Sequence, residues 1–322
     1  MSASERPLVS DLGDGVFRVT HRLPWALDHV HCYLIREDGG WTAIDTGLGT
    51  PATLDAWRAA LGELGDPPLR RLVVTHYHPD HVGAGRELVE AAGITEVVQG
   101  RLDAELSRRA WEVPDDGSFA AYLIANGMPD GEAHASAREE GKLAVHPPQP
   151  TRLVDAGDRV QLAGERYAVH LLPGHADGHI VLAGERSRRV FGGDLLLAEI
   201  TPNVGRWPDT AADPLGAYLC SLGELEQMAP AVVHPGHGPS IQDVGGRVGE
   251  IREHHRERLD AHLAALQAGA STAHAVAQIV WAEEGLGFHE QRFALVEAVS
   301  HLERLEGEGR ARRAGDRTWH PA

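Results

Sequence analysis

The chain has 322 residues, 42% hydrophobic and 24% charged, the balance of a water-soluble globular protein with room for one large domain and a small one. Its 30 basic and 47 acidic side chains leave a net charge of −17, which repels a polyanion such as nucleic acid unless basic groups are concentrated locally. No apolar run reaches membrane-spanning length, the N-terminal residues lack the pattern of a secretory signal, and two cysteines cannot build a disulfide framework; a cytoplasmic protein without a membrane partner is expected, with Cys32 and Cys220 as small buried hydrophobes.

Short strands punctuated by Gly and Asp are expected at 15–20, 30–36 and 41–45. Thr50 before Pro51 reads as a helix N-cap and first helical position, and Leu54, Trp57, Ala60 and Leu61 continue at helical spacing. A buried strand at 71–75 runs into an H-x-H-x-D-H cluster: His76, His78, Asp80 and His81 place four metal-ligand side chains within six residues. Residues two apart on extended chain point the same way, so His76 and His78 suit one ion. Pro79 then breaks the strand and lets Asp80 and His81 swing toward a second ion. A helix at 82–92 and a strand at 95–98 follow.

Residues 101–145 read as a mostly helical insertion, either packed on itself or forming a lid or apolar wall over the metal site. Strands return at 160–162, 167–172, 180–183 and 189–191, then a helix at 213–228 and a last strand at 231–234. His175, Asp194 and His237 each follow an apolar strand, so all three can face one edge of a two-sheet sandwich. Singly each is an ordinary turn residue; the set makes them ligand candidates. Among the other histidines, His179 either supports the site or sits exposed in its turn, and His234 packs. His29 and His31 alternate on a strand and more readily face away, while His254 and His255, on a charged helix, are solvated or packed between domains.

The order of elements indicates an α/β fold, a sandwich of two sheets with outer helices over residues 1–245. Residues 246–322 read as a separate module of three helices, 249–268, 271–284 and 288–306, with a two-stranded wing at 310–320. Across 301–322, Arg304, Arg310, Arg312, Arg313 and Arg317 stand against Glu303, Glu306, Glu308 and Asp316, a mixed surface rather than a phosphate-binding patch.

The ligand set resembles the metallo-β-lactamase fold superfamily in its dinuclear, glyoxalase-II-like form, over residues from about 15 to 242. The resemblance implies an αββα sandwich in which His76, His78 and His175 hold one metal, Asp80, His81 and His237 a second, and Asp194 bridges them. Asp45 matches the family's buried supporting Asp, although Asp-Thr-Gly is also a good turn sequence. Two divalent ions, zinc by default with manganese or iron compatible, would share a hydroxide that attacks the substrate, with Asp80 or Asp194 relaying the proton. Asp194 stands where main-subclass zinc β-lactamases commonly carry Cys, and Leu197 stands where acyl-homoserine lactonases carry Tyr. A thioester or ester of a small acyl substrate remains the leading expectation. A lactone, or a phosphodiester of single-stranded RNA, is the alternative, and a DNA-binding ligand sensor is the non-enzymatic one.

The C-terminal module is similar to the winged-helix appendage of the beta-lactamase-like-protein-2 group, most closely at 300–309. Its presumed recognition helix carries Glu290, Glu297, Glu303 and Glu306, which favours a packing role over DNA binding. A homodimer is compatible with these features and required by none.

Overall fold

A computed structural model describes residues 7–315 and 317–322; residues 1–6 and Asp316, both used above, lie outside the described residues. Strands β1 (Val9–Asp11), β2 (Val16–Arg22), β3 (His29–Glu37), β4 (Gly40–Ile44), β5 (Leu69–Val74), β6 (Glu96–Gly100) and β7 (Arg152–Val154) form one sheet in sequential order. Its first half is an antiparallel meander and its second half, from β4 onward, is parallel. A second sheet has the order β12 (Val232–Pro235), β11 (Arg189–Gly193), β10 (Ile180–Gly184), β9 (Glu165–Leu171), β8 (Arg159–Leu162), with only β11 and β12 parallel.

The alternation of side chains along a strand explains the layering. On β3, Tyr33 and Ile35 face Val73, Val169, Leu182 and Phe191 in the core between the sheets. Cys32 and Leu34 face the other way, onto Trp57 and Ala60 of α1 (Pro51–Glu63) and Leu88 of α3 (Gly85–Ala92). With both faces apolar, this strand must be covered on both sides. The outer face of the second sheet is covered by α7 (Pro214–Gln227) and α8 (Val244–Gln267), giving the expected α/β sandwich of two sheets between helices.

Several elements differ in detail from the sequence reading. The helix expected at 82–92 is two pieces, α2 (Pro79–Val82) and α3, because Gly83 presses on the Gly47–Gly49 turn, where a Cβ would lie 2.7 Å from Gly49 N. Thr50 does cap α1, accepting from Thr53 N. α8 begins five residues before the expected 249 because Asp243 caps it, so the division expected at 245/246 falls inside a helix. α9 (Ala273–Val280) stops short of 284, and a 3-10 turn, Ala282–Glu284, leads to α10 (Phe288–Gly307). Strands β13 (Ala311–Arg313) and β14 (Trp319–Pro321) pair as the expected two-stranded ribbon. Cys32 is buried, but Cys220 is exposed, because it falls on the outer side of α7. No helix among the described residues is long and apolar enough to cross a membrane.

The insertion contains α4 (Arg101–Glu112), α5 (Ser118–Ala125) and α6 (Asp130–Glu140). It does not simply pack on itself. Leu123, Met128 and Ala133 share one core with Val276, Ala277 and Leu295 of the C-terminal helices. Gly127, at φ 97°, lies against Thr272, and the nearly buried Arg292 of α10 pairs with Glu140 at 2.6 Å. The same core continues into Leu215, Leu222 and Val233, so the C-terminal helices are continuous with the sandwich.

Candidate metal centre

Strand ends assemble the site. β4 ends before Asp45, β5 runs into the H-x-H-x-D-H cluster, β11 ends before Asp194, and β12 ends before His237. Each is one of the parallel-paired strands, whose carboxyl ends open on a shared edge. His175 joins them from the connection between β9 and β10. Ile180 N donates to Thr75 O at 3.0 Å and His31 N donates to Gly236 O at 2.6 Å, stitching the two sheets together at this edge.

All seven candidate ligands converge here. One donor atom from each of His76, His78 and His175 lies within 4.8 Å of the others, and the same holds for His76, His81 and Asp194 and for Asp80, His81 and His237. Pro79 acts as expected: His78 is extended at ψ 151°, and the one-turn α2 then carries Asp80 and His81.

Hydrogen bonds decide which nitrogens face inward. His175 Nδ1 donates to Asn203 O at 2.8 Å and His237 Nδ1 to His29 O at 2.6 Å, so Nε2 is the nitrogen each ring turns inward. His81 Nδ1 donates to Asp45 Oδ2 at 2.8 Å. The Thr75 hydroxyl also donates to Asp45, at 2.8 Å, and so accepts from His76 Nδ1 at 3.0 Å. The Nε2 atoms of His76, His81 and His237 are buried and turned to the centre, those of His81 and His237 lying 3.3 and 3.2 Å from the Asp194 carboxylate. His78 Nδ1 and His175 Nε2 face each other at 2.8 Å. Inward nitrogens on buried imidazoles beside two carboxylates are the donor set a divalent metal takes in exchange for protons, and the residues therefore fit one.

The charges follow the same logic. Burial opposes ionisation of Asp194, but His237 and His81 outweigh it and hold the carboxyl well below the usual range. Burial likewise works against protonation of His237, yet Asp194 and Asp80 raise it to about 10. His76 is held well below the ordinary value by burial and by His81. The centre thus keeps positive charge next to its carboxylates, protons where a cation would stand.

Close approach makes two glycines necessary. A Cβ on Gly236 would lie 2.3 Å from Asp194 Oδ1, and one on Gly193, at φ 48°, would lie 2.6 Å from His179 Nε2. That His179 nitrogen accepts the Asp194 N–H at 3.1 Å, so His179 supports the centre from a buried position. Asp45 is a supporting residue rather than only a turn cap, since it accepts from Thr75 N, the Thr75 hydroxyl and His81. His29 and His31 contribute through their backbone, and His234 packs against Tyr33 and Phe191. His254 and His255 lie away from the centre, with His255 fully buried.

Sequence reasoning passes over the residues that clamp the histidine run. Asp103 of α4 accepts the Tyr77 N–H at 2.9 Å, and Trp111 Nε1 donates to Tyr77 O at 2.8 Å. The insertion therefore grips both backbone groups of the residue between His76 and His78. Asn203, whose carbonyl orients His175, also escapes notice, because it sits in a loop with no local pattern.

The profile of the family described as "Metallo-beta-lactamase superfamily" matches residues 25–237. The chain belongs to this superfamily. A second profile, "Metallo-beta-lactamase-like, C-terminal domain", matches residues 259–319. The superfamily's divalent-metal chemistry agrees with the His and Asp groups gathered here. The chain is similar to "Probable metallo-hydrolase YqjP" of Bacillus subtilis, at 29% identity over 88% of this chain and 90% of that one. It is similar to "Beta-lactamase-like protein 2 homolog" of Caenorhabditis elegans, at 25% identity over 78% and 70%. "Acyl-coenzyme A thioesterase MBLAC2" of Gallus gallus matches at 30% identity over 61% and 68%. Among solved structures, the metallo-beta-lactamase family protein TTHA1429 from Thermus thermophilus superposes with a TM-score of 0.85 at 31% identity, covering 97% of this chain and all of that one.

Proposed function

We propose that the chain is a dinuclear-metal hydrolase of the glyoxalase-II-like type, acting on a thioester or ester bond of a small acyl substrate. The carrying observation is the convergence of the inward imidazole nitrogens of His76, His81 and His237 on Asp80 and Asp194. His76, His78 and His175 would hold one ion and Asp80, His81 and His237 the other, with Asp194 available to both: its Oδ1 lies 3.3 Å from His81 Nε2 and its Oδ2 3.6 Å from His175 Nε2. When bound, the two ions lower the pKa of a water and polarise the bond it attacks. Asp80 and Asp194 are the groups placed to take that water's proton. Asp45, Thr75, Asn203 and the His29 carbonyl hold the imidazole tautomers that make ligation possible. Zinc is the ion this imidazole-rich set suits, with manganese or iron tolerated by the carboxylates.

An acyl group has an apolar surface at hand. Phe119 of the insertion lies tilted against Trp207, four residues beyond Asn203, at 5.8 Å, and Trp207 meets Phe293 of α10 edge-on at 5.7 Å. The similarity to an acyl-coenzyme A thioesterase supports the same reading. Nucleic acid is disfavoured by the net charge of −17. We read the C-terminal module as winged-helix in type, with two of its acidic residues engaged inside the molecule: Glu297 accepts from Asn203 at 2.7 Å, and Glu303 pairs with Arg206 at 3.3 Å. Helix α10 thus serves packing rather than DNA. Free Cys32 and Cys220 suit a reducing cytoplasm.

The test is a screen of acyl-CoA thioesters, aryl esters, lactones, phosphodiesters and short RNA with the metal-loaded protein. Turnover should be highest on thioesters or esters and vanish on chelation. A preference for RNA or phosphodiesters, or turnover untouched by chelation, would overturn the proposal.

A further inference from the structure

The C-terminal helices hold another group of metal-ligand side chains. His254 and His255 lie on α8 and Glu297 on α10, and one donor atom from each lies within 4.8 Å of the other two. Among the described residues, only this trio and the overlapping trios of the main centre come together so closely.

Neighbouring imidazoles determine which nitrogens are available. His301 Nδ1 donates to Glu297 O at 2.9 Å, so its Nε2 carries a lone pair. His255 Nδ1 lies 3.2 Å from that Nε2 and must be the donor. The other His255 nitrogen, Nε2, therefore carries a lone pair, and it is buried without a hydrogen-bond partner on a residue that is 0% exposed. His262 locks the row from behind: its Nδ1 donates to Arg258 O at 2.6 Å, and its ring stacks on His301 at 4.6 Å. Burial, with help from His301, pushes His255 down to about 2, and burial lowers His254 as well, so both rings are in the neutral form that binds metal. Burial raises the Glu297 carboxyl to about 7, against the opposing pull of Arg258 and Asn203.

We propose that His254, His255 and Glu297 form a further divalent-cation site of zinc type, separate from the dinuclear centre. Two imidazoles and a carboxylate are a donor set zinc accepts, with water completing the shell. Glu297 releases its proton as the cation enters, so the site gains one net positive charge rather than two. Glu297 Oε2 also accepts from Asn203 Nδ2 at 2.7 Å, and Asn203 O accepts from His175 Nδ1 at 2.8 Å. A cation here joins α8 and α10 to the loop that orients a residue of the main centre. The inference stands whether or not the chain hydrolyses thioesters.

Equilibrium dialysis of the full chain against zinc, followed by elemental counting, tests it on wild type, His254→Ala, Glu297→Gln and Asp80→Ala. His254 is partly exposed, so alanine there keeps the fold; glutamine at 297 keeps an acceptor for Asn203 while removing the anionic ligand. Wild type should bind about one zinc ion more per chain than His254→Ala or Glu297→Gln, each of which should show affinity for that ion at least about tenfold weaker. Asp80→Ala should retain that ion while losing zinc from the main centre. Equal zinc content in wild type, His254→Ala and Glu297→Gln overturns the site, and so does loss of the extra ion in Asp80→Ala.

Discussion

At the scale of single residues, the centre is controlled by space as much as by donors. Gly236 lets the His237 turn pass beside Asp194, and an alanine Cβ there would sit 2.3 Å from Asp194 Oδ1 and 2.6 Å from His81 Cε1. Neither neighbour can yield, since both are buried and tied to other groups. Gly236→Ala should weaken metal binding about ten- to a hundredfold, the range seen when ligand orientation is disturbed, with secondary structure retained. A competition titration against a chromogenic chelator reads this directly, and wild-type affinity in the variant would contradict it. The ligands themselves are legible in sequence because the H-x-H-x-D-H spacing is dense. Their partners are not. Asp103 acts on Tyr77 across 26 residues, His175 and its acceptor Asn203 are separated by 28, and Asn203 and Glu297 by 94. No local pattern marks such pairs; only the fold brings them together.

At the scale of elements, periodicity and caps reveal most strands and helices, and packing decides the rest. Thr50-Pro51 is readable as a helix start because the cap is a local interaction. The break between α2 and α3 is not, since it arises from a turn more than thirty residues earlier pressing on Gly83. The direction of the insertion is equally hidden, because helical spacing shows that an apolar face exists without showing what it meets. Its contact with the C-terminal module includes the ion pair of Arg292 with Glu140, in which Arg292 is 2% exposed. Arg292→Ala removes a buried charge pair together with the packing of the arginine stem. It should cost about 3 kcal/mol in urea denaturation, and a loss under about 0.5 kcal/mol would show that the insertion and module are held by their apolar core alone.

At the scale of the whole molecule, the buried histidines set the response to acid. Burial brings His21 down to about 3, burial and His175 do the same to His179, and burial and Arg189 to His234. Their ordinary value is 6.5, so between pH 6.5 and 3 the unfolded chain binds protons that the folded chain refuses. Stability should therefore fall as pH drops below about 6.5, by at most about 1.4 kcal/mol per unit for each histidine, and be flat above it for these groups. Denaturation midpoints of the chelated protein at several pH values check this, and a midpoint unchanged between pH 6.5 and 5 would contradict it. The two-sheet architecture and the hydrolytic chemistry are visible in the sequence because four ligands and the strand-end positions of three more recur in one order. The aromatic contacts of Phe119, Trp207 and Phe293 are not visible, because they are drawn from three distant segments. The central claim is that Asp80 and its partners activate water on an acyl substrate. Its most direct test is the hydrolysis rate of the best thioester or ester from the substrate screen, measured for wild type and for Asp80→Ala in the same excess of zinc. The rate should fall at least about a hundredfold in the variant; a variant that retains wild-type turnover would contradict the claim.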